Sequence, residues 1–178
     1  PCMECPRARS VFDCARSSVG SPSCAFRGVA AASPNGAGTW VAPDGAVGLG
    51  HHRLAILDLS PLGAQPMARD GGRLQITFNG EIYNFHELRR ELQSRGVPLA
   101  TDSDTEVVLA LYDLEGPAML RKLRGMYAFA LWDGGRRQLL LARDPYGIKP
   151  LYYAQHGGRL LFASEVKALT AIDGGRVA

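Results

Sequence analysis

The punctuation of this sequence predicts an α+β fold in which antiparallel sheets are covered by helices. Three observations carry the prediction. Apolar strand-like runs occur in clusters that alternate with helical stretches. Neighbouring runs are joined through short glycine turns, Asp133-Gly134-Gly135 and His156-Gly157-Gly158, so they form hairpins rather than crossovers. The helical stretches open on Asn or Ser and close on Gly, as helix termini do.

In chain order, composition changes near Ser33. Residues 1–32 are rich in Cys, Arg and Ser and lack clear periodicity, whereas residues 33–178 are well punctuated and read as one domain. Residues 47–59 are apolar with two glycines near their start, a strand running into a loop. Residues 74–78 form a second strand that is expected to break at Asn79-Gly80. Asn84 with Glu87 three positions on suggests a capping box for a helix whose Leu88 and Leu92 share one face until Gly96. Ser103 with Glu106 suggests another, opening a helix that carries Val107, Val108, Leu111 and Tyr112 and stops at Gly116-Pro117. Residues 126–132 and 138–142 make one hairpin, and residues 151–153 and 160–163 a second.

Whole-chain properties narrow the function. At 178 residues and 46% hydrophobic content the chain suits one compact domain with its own core. A formal charge of +3, dispersed along the chain, gives no basis for nucleic-acid binding. No run approaches the roughly 18 apolar residues of a membrane span, and charged residues interrupt the N-terminal stretch where a secretory signal would be apolar. The expected location is cytoplasmic. All four cysteines, Cys2, Cys5, Cys14 and Cys24, precede residue 25, which suits neither a disulfide scaffold nor a zinc site, and no metal is expected.

Chemistry concentrates in the stretch Phe78-Asn79-Gly80-Glu81-Ile82-Tyr83-Asn84, where one amide side chain, one unhindered backbone N–H and one carboxylate occur together. Alone, Asn79-Gly80 is most often only a turn. It has company in Gly50-His51-His52-Arg53-Leu54, Ser103-Asp104-Thr105-Glu106, Leu123-Arg124-Gly125-Met126-Tyr127-Ala128-Phe129-Ala130 and Arg143-Asp144-Pro145-Tyr146-Gly147-Ile148-Lys149-Pro150. As an ordered set, spanning roughly residues 34–169, these resemble the glutaminase domain of glutamine-hydrolysing asparagine synthetases. That domain is a class-II glutamine amidotransferase of the N-terminal-nucleophile hydrolase fold.

The resemblance implies a four-layer α-β-β-α sandwich that binds glutamine and releases ammonia to an ATP-using synthetase domain or subunit, which amidates aspartate. It implies an oxyanion hole made by the Asn79 side chain and the Gly80 N–H, and a glutamine pocket that includes Arg53, Leu54, Ala55, Ile56 and Leu57. Arg53 would hold the α-carboxylate through paired hydrogen bonds, and Glu81 and Asp104 the α-ammonium. No cofactor is expected in this domain, ATP and magnesium belonging to the synthetase domain, and a homodimer is allowed. His51 and the segment from Arg143 read as structural, the latter as a turn shaped by Pro145 and Gly147.

The resemblance departs from the family at the N-terminus. Family members begin with a Cys followed by Gly-Ile and a short strand, the thiol attacking while its own α-amine serves as base. Here Pro1 precedes Cys2, and Met3-Glu4-Cys5-Pro6 supplies no such strand. Cys2 lies at about the family distance from the Pro34-Asn35-Gly36 turn and is the candidate nucleophile. These departures suggest that residues 1–32 derive from another reading frame, that the first strand is missing, and that the domain is truncated at both ends. An alternative reading is a catalytically inactive pseudo-glutaminase acting as a binding or interaction module. A related amidotransferase of amino-sugar or purine-precursor synthesis is a third, less favoured because the Asn79 segment is closer to the asparagine synthetase branch.

Overall fold

A computed structural model describes residues 10–13, 37–52, 63–156 and 158–172. Its centre is a five-stranded antiparallel sheet built from β1 (Ser10–Asp13), β4 (Met67–Arg69), β5 (Leu74–Ile82), β6 (Gly125–Asp133) and β7 (Gln138–Arg143), in the order β1-β7-β6-β5-β4. Two further antiparallel pairs are β2 (Ala37–Val41) with β3 (Gly48–His52), and β8 (Tyr152–His156) with β9 (Arg159–Ala163). The helices are α1 (Phe85–Ser94), α2 (Asp104–Glu115) and α3 (Val166–Ile172), with a 3-10 turn at Gly116–Arg121 after α2.

Alternation along β5 divides the molecule into layers, because successive side chains leave a strand on opposite faces. Leu74, Ile76, Phe78 and Ile82 enter one core with Leu88 and Leu92 of α1 and Val107, Val108 and Leu111 of α2. Each such side chain, fully buried, contributes roughly 1.5–3 kcal/mol before entropic costs. On the other side, Ala130, Trp132, Leu139 and Leu141 of β6 and β7 meet Val47 and Leu49 at β3, with Leu160 and Phe162 of β9 packed against them. Helix α3 follows β9 and lies against the β8–β9 hairpin. The predicted α+β class and both predicted hairpins are therefore present.

Four local expectations are corrected. The strand does not break at Asn79-Gly80: β5 runs through it, placing Asn79 opposite Ala128, Gly80 opposite Tyr127 and Ile82 opposite Gly125. The reason is close backbone approach, since a Cβ on Gly80 (φ +155°) would lie 2.1 Å from the Met126 carbonyl oxygen, and one on Gly125 equally close to that of Glu81. The capping box at Asn84 is absent, because its side chain donates to the Lys122 carbonyl and accepts from the Arg124 N–H, both at 3.0 Å. At α2, Ser103 caps by accepting from the Thr105 N–H, but Glu106 turns away to the N–H groups of Ala100 and Thr101, at 2.7 Å each. The N-terminal segment, expected to lack the family's first strand, does supply one strand to the sheet, β1, which pairs with β7 from Ser10 opposite Leu141 to Asp13 opposite Gln138.

Gly96 does end α1 as its position suggests. With φ +73° it donates to the Gln93 carbonyl while Val97 reaches back to Leu92, a Schellman closure that lays Val97 on the helix core.

Candidate functional site

The β5 ladder and the head of α2 bring four of the predicted site residues together. Asn79, Gly80 and Glu81 follow one another at the end of β5, with Asn79 exposed. Asp104 opens α2, is buried at 6% exposure, and accepts a 3.0 Å hydrogen bond from the Ile82 N–H through Oδ2. A carboxylate from one helix is thereby fastened to the residue after Glu81. Cys2 and the Arg53, Leu54, Ala55, Ile56 and Leu57 segment lie outside the described residues.

Electrostatics at this junction work against a charged Asp104. Burial pushes the Asp104 carboxyl above its ordinary range, the neighbouring Glu81 charge pushes the same way, and the Ile82 and Thr105 N–H groups offset them in part. Asp104 thus carries a carboxyl whose charge is opposed both by burial and by the Glu81 carboxylate.

Three braces hold the end of β5 that carries Asn79 and Gly80. On the face shared with Asn79, the Thr77 hydroxyl donates to the Gly50 carbonyl at 3.3 Å and lies 3.1 Å from His51 Nδ1. On the other side, Gln65 Oε1 accepts from the Phe78 N–H at 2.6 Å and its Nε2 reaches Thr105 Oγ1 at 3.4 Å. The third brace is Asp144, buried at 3% exposure. Its carboxylate accepts from the N–H groups of Tyr146, Ile148 and Lys149 at 2.9–3.1 Å and from that of Tyr127, opposite Gly80, at 3.3 Å.

Burial would raise the Asp144 pKa, but these donors outweigh it and hold it below the usual carboxylate range. Arg143 completes the turn by donating to the carbonyls of Gly147 and Lys149, both at 2.6 Å. The segment from Arg143 is thus structural, as the sequence suggested. Gln65 and Thr77 were not singled out by sequence reasoning. Neither breaks a local pattern, since their partners lie in other elements.

Among the described residues no group of three or more His, Cys, Asp or Glu could hold a metal ion. None of their helices is long and apolar enough to cross a membrane.

Comparison with known proteins identifies the family. Residues 23–177 match the family model described as a glutamine amidotransferase domain. The chain is 43% identical over 143 residues to the amidase chry2 of Gibberella zeae, covering 80% of this chain and 21% of that protein. It is 49% identical over 145 residues to a putative glutamine-hydrolysing asparagine synthetase of Mycobacterium bovis, covering 76% and 22%. It is also 49% identical over 123 residues to asparagine synthetase 1 of Bacillus subtilis, covering 69% and 19%. The chain therefore spans about a fifth of the length of these relatives.

Among solved structures, glutamine phosphoribosylpyrophosphate amidotransferase of B. subtilis superposes with a TM-score of 0.61 at 28% identity, over 71% of this chain and 29% of that one. That likeness places the antiparallel sheets and helices described above within the N-terminal-nucleophile hydrolase fold. A family match over most of the chain and relatives above 40% identity lead to one conclusion: this chain belongs to the glutamine amidotransferase domain family.

Proposed function

We propose that this chain is the glutaminase portion of an asparagine-synthetase-like enzyme, hydrolysing glutamine to glutamate and ammonia. The ammonia would pass to an ATP-using synthetase domain that amidates aspartate, as the relatives' names suggest. The observation that carries the reading is the Asp104 carboxylate bonded to the Ile82 N–H, two residues beyond Gly80.

In this reading Glu81 and Asp104 receive the α-ammonium of glutamine. Arg53 holds the α-carboxylate by a fork of two hydrogen bonds, and Leu54, Ala55, Ile56 and Leu57 line the same pocket. Support for that placement comes from the residues around the segment. His51, two before Arg53, touches Thr77, two before Asn79, while Gln65 on the far side bonds Phe78. Asn79 and the Gly80 N–H then stabilise the oxyanion formed when a thiolate attacks the side-chain amide.

Cys2 is the proposed nucleophile, with its α-amine as base, which requires that amine to be free. The attack forms a C–S bond, the proton passes to the leaving nitrogen as the C–N bond breaks, and water cleaves the thioester to glutamate. ATP and magnesium serve the synthetase step and have no role at this site.

Ammonia release from glutamine tests the reading, using protein whose Cys2 amine is exposed. Asn79→Ala should lower kcat about 10²–10³-fold with little change in KM, and Cys2→Ala should abolish turnover. Arg53→Ala should lose glutamine binding by calorimetry. Equal binding by wild type and Arg53→Ala would remove Arg53 from the pocket.

A further inference from the structure

We propose that Gln65 is a positioning residue that sets the spacing between the oxyanion donors on β5 and the ammonium-binding carboxylate at the head of α2. The inference rests on the glutaminase reading above. Gln65 bonds the residue on either side of the two chemical groups: Phe78 immediately precedes Asn79, and Thr105 immediately follows Asp104.

The orientation of the carboxamide follows from its partners. A backbone N–H can only donate, so the oxygen faces Phe78 at 2.6 Å, and the amino group is left to donate to the Thr105 hydroxyl oxygen at 3.4 Å. The Phe78 N–H has lost its ladder partner at this point, because β4 pairs with β5 only as far as Met67 opposite Ile76. The side chain of Gln65 therefore takes over where the sheet edge stops, and it extends the restraint across to the helix.

The backbone of Gln65 is fixed from a third direction. A Cβ on Gly38 of β2 would lie 2.0 Å from the Gln65 carbonyl oxygen, so β2 closes directly on this residue and only glycine permits it. Gln65 thus touches three elements at once and has little freedom to yield. Glutamine held through Glu81 and Asp104 presents its side-chain amide to Asn79 and Gly80 across a distance that no bond within β5 alone determines. The 3.0 Å contact from Ile82 to Asp104 fixes the far end of that span, and Gln65 fixes the near end.

The oxyanion develops only in the transition state, so loosening the near end should be felt in kcat rather than KM. A displacement of about 1 Å at such a donor can cost about 10²-fold.

The test compares wild type, Gln65→Met and Gln65→Glu in ammonia release from glutamine, each rate expressed per folded protein. Gln65→Met keeps the volume and loses both hydrogen bonds; its kcat should fall about 10- to 100-fold with KM within about twofold. Gln65→Glu keeps an acceptor for the Phe78 N–H and can accept from the Thr105 hydroxyl, so it should restore most of kcat. Hydrogen exchange at the Phe78 and Asn79 amides should quicken in Gln65→Met while that of Leu131 is unchanged. Wild-type kcat in Gln65→Met, or failure of Gln65→Glu to recover, overturns the positioning role alone. A wild-type protein that releases no ammonia overturns the glutaminase reading and the role with it.

Discussion

Replacing Gly80 with alanine would place a methyl group where β5 and β6 leave no room. Its Cβ would lie 2.1 Å from the Met126 carbonyl oxygen and 2.6 Å from the Tyr127 Cα. Carbon atoms pack best at about 3.5–4.0 Å, so the strands must part by roughly 1 Å or the peptide must rotate. Neighbouring strands sit about 4.7–4.9 Å apart, and a ladder stretched by a fifth of that spacing loses its hydrogen bonds locally.

Overpacking of this kind costs about 1–3 kcal/mol, and the positive φ of 155° adds backbone strain on top. Thermal unfolding would read the stability loss, and ammonia release below the transition would read the rate, which should fall at least ~10²-fold because the displaced N–H belongs to the proposed oxyanion hole. Gly71→Ala is the control: its φ is +61° with nothing within 4 Å of the added Cβ, so it bears the backbone strain without the collision. If Gly80→Ala matched Gly71→Ala in both measurements, close approach of the strands would not be what this glycine provides.

Two other substitutions probe charge. Asp104→Asn should raise the KM for glutamine and flatten its pH dependence, whereas wild-type KM should climb as pH falls through the raised Asp104 pKa, at a higher pH than an ordinary carboxylate would give. For stability the sign is opposite. A raised folded-state pKa stabilises below the unfolded value of about 3.9 and that contribution is lost as pH rises through the folded value. Asp104→Asn, whose oxygen still accepts from Ile82, should therefore be no less stable than wild type at neutral pH, as a denaturant titration would show.

Asp144→Asn should destabilise by roughly 2–4 kcal/mol, since its amino group would face two N–H donors. Its depressed pKa means the wild-type contribution is present above about pH 3.9 and disappears as pH falls through the folded value, so the two proteins should converge in acid.

The legible parts of this protein are those whose causes are local. Gly134 and Gly135 announce the β6–β7 hairpin, Leu88 and Leu92 give the buried face of α1, and Gly96 ends it, all through spacings of a few residues. Where reading failed, a distant partner had claimed a side chain. Asn84 looked like a cap, but Lys122 and Arg124 lie within reach and offer it two bonds. Glu106 likewise found the Ala100 and Thr101 amides instead of Ser103.

Asn79-Gly80 looked like a break but lies within β5, because the demand on Gly80 comes from Met126 across the sheet and leaves no trace in neighbouring residues. Gln65 escaped notice for the same reason. Its partners, Phe78 and Thr105, are 13 and 40 residues away.

The Asp144 turn constrains main chain and leaves its side chains at liberty. The carboxylate grips only amide N–H groups, those of Tyr127, Tyr146, Ile148 and Lys149, while Tyr146 stands 88% exposed and Ile148 56%. Substitutions at those two positions can rewrite the outer face of the loop without reaching Tyr127 or the glycine it faces. One inward carboxylate thus separates a surface free to diversify from a strand that is not.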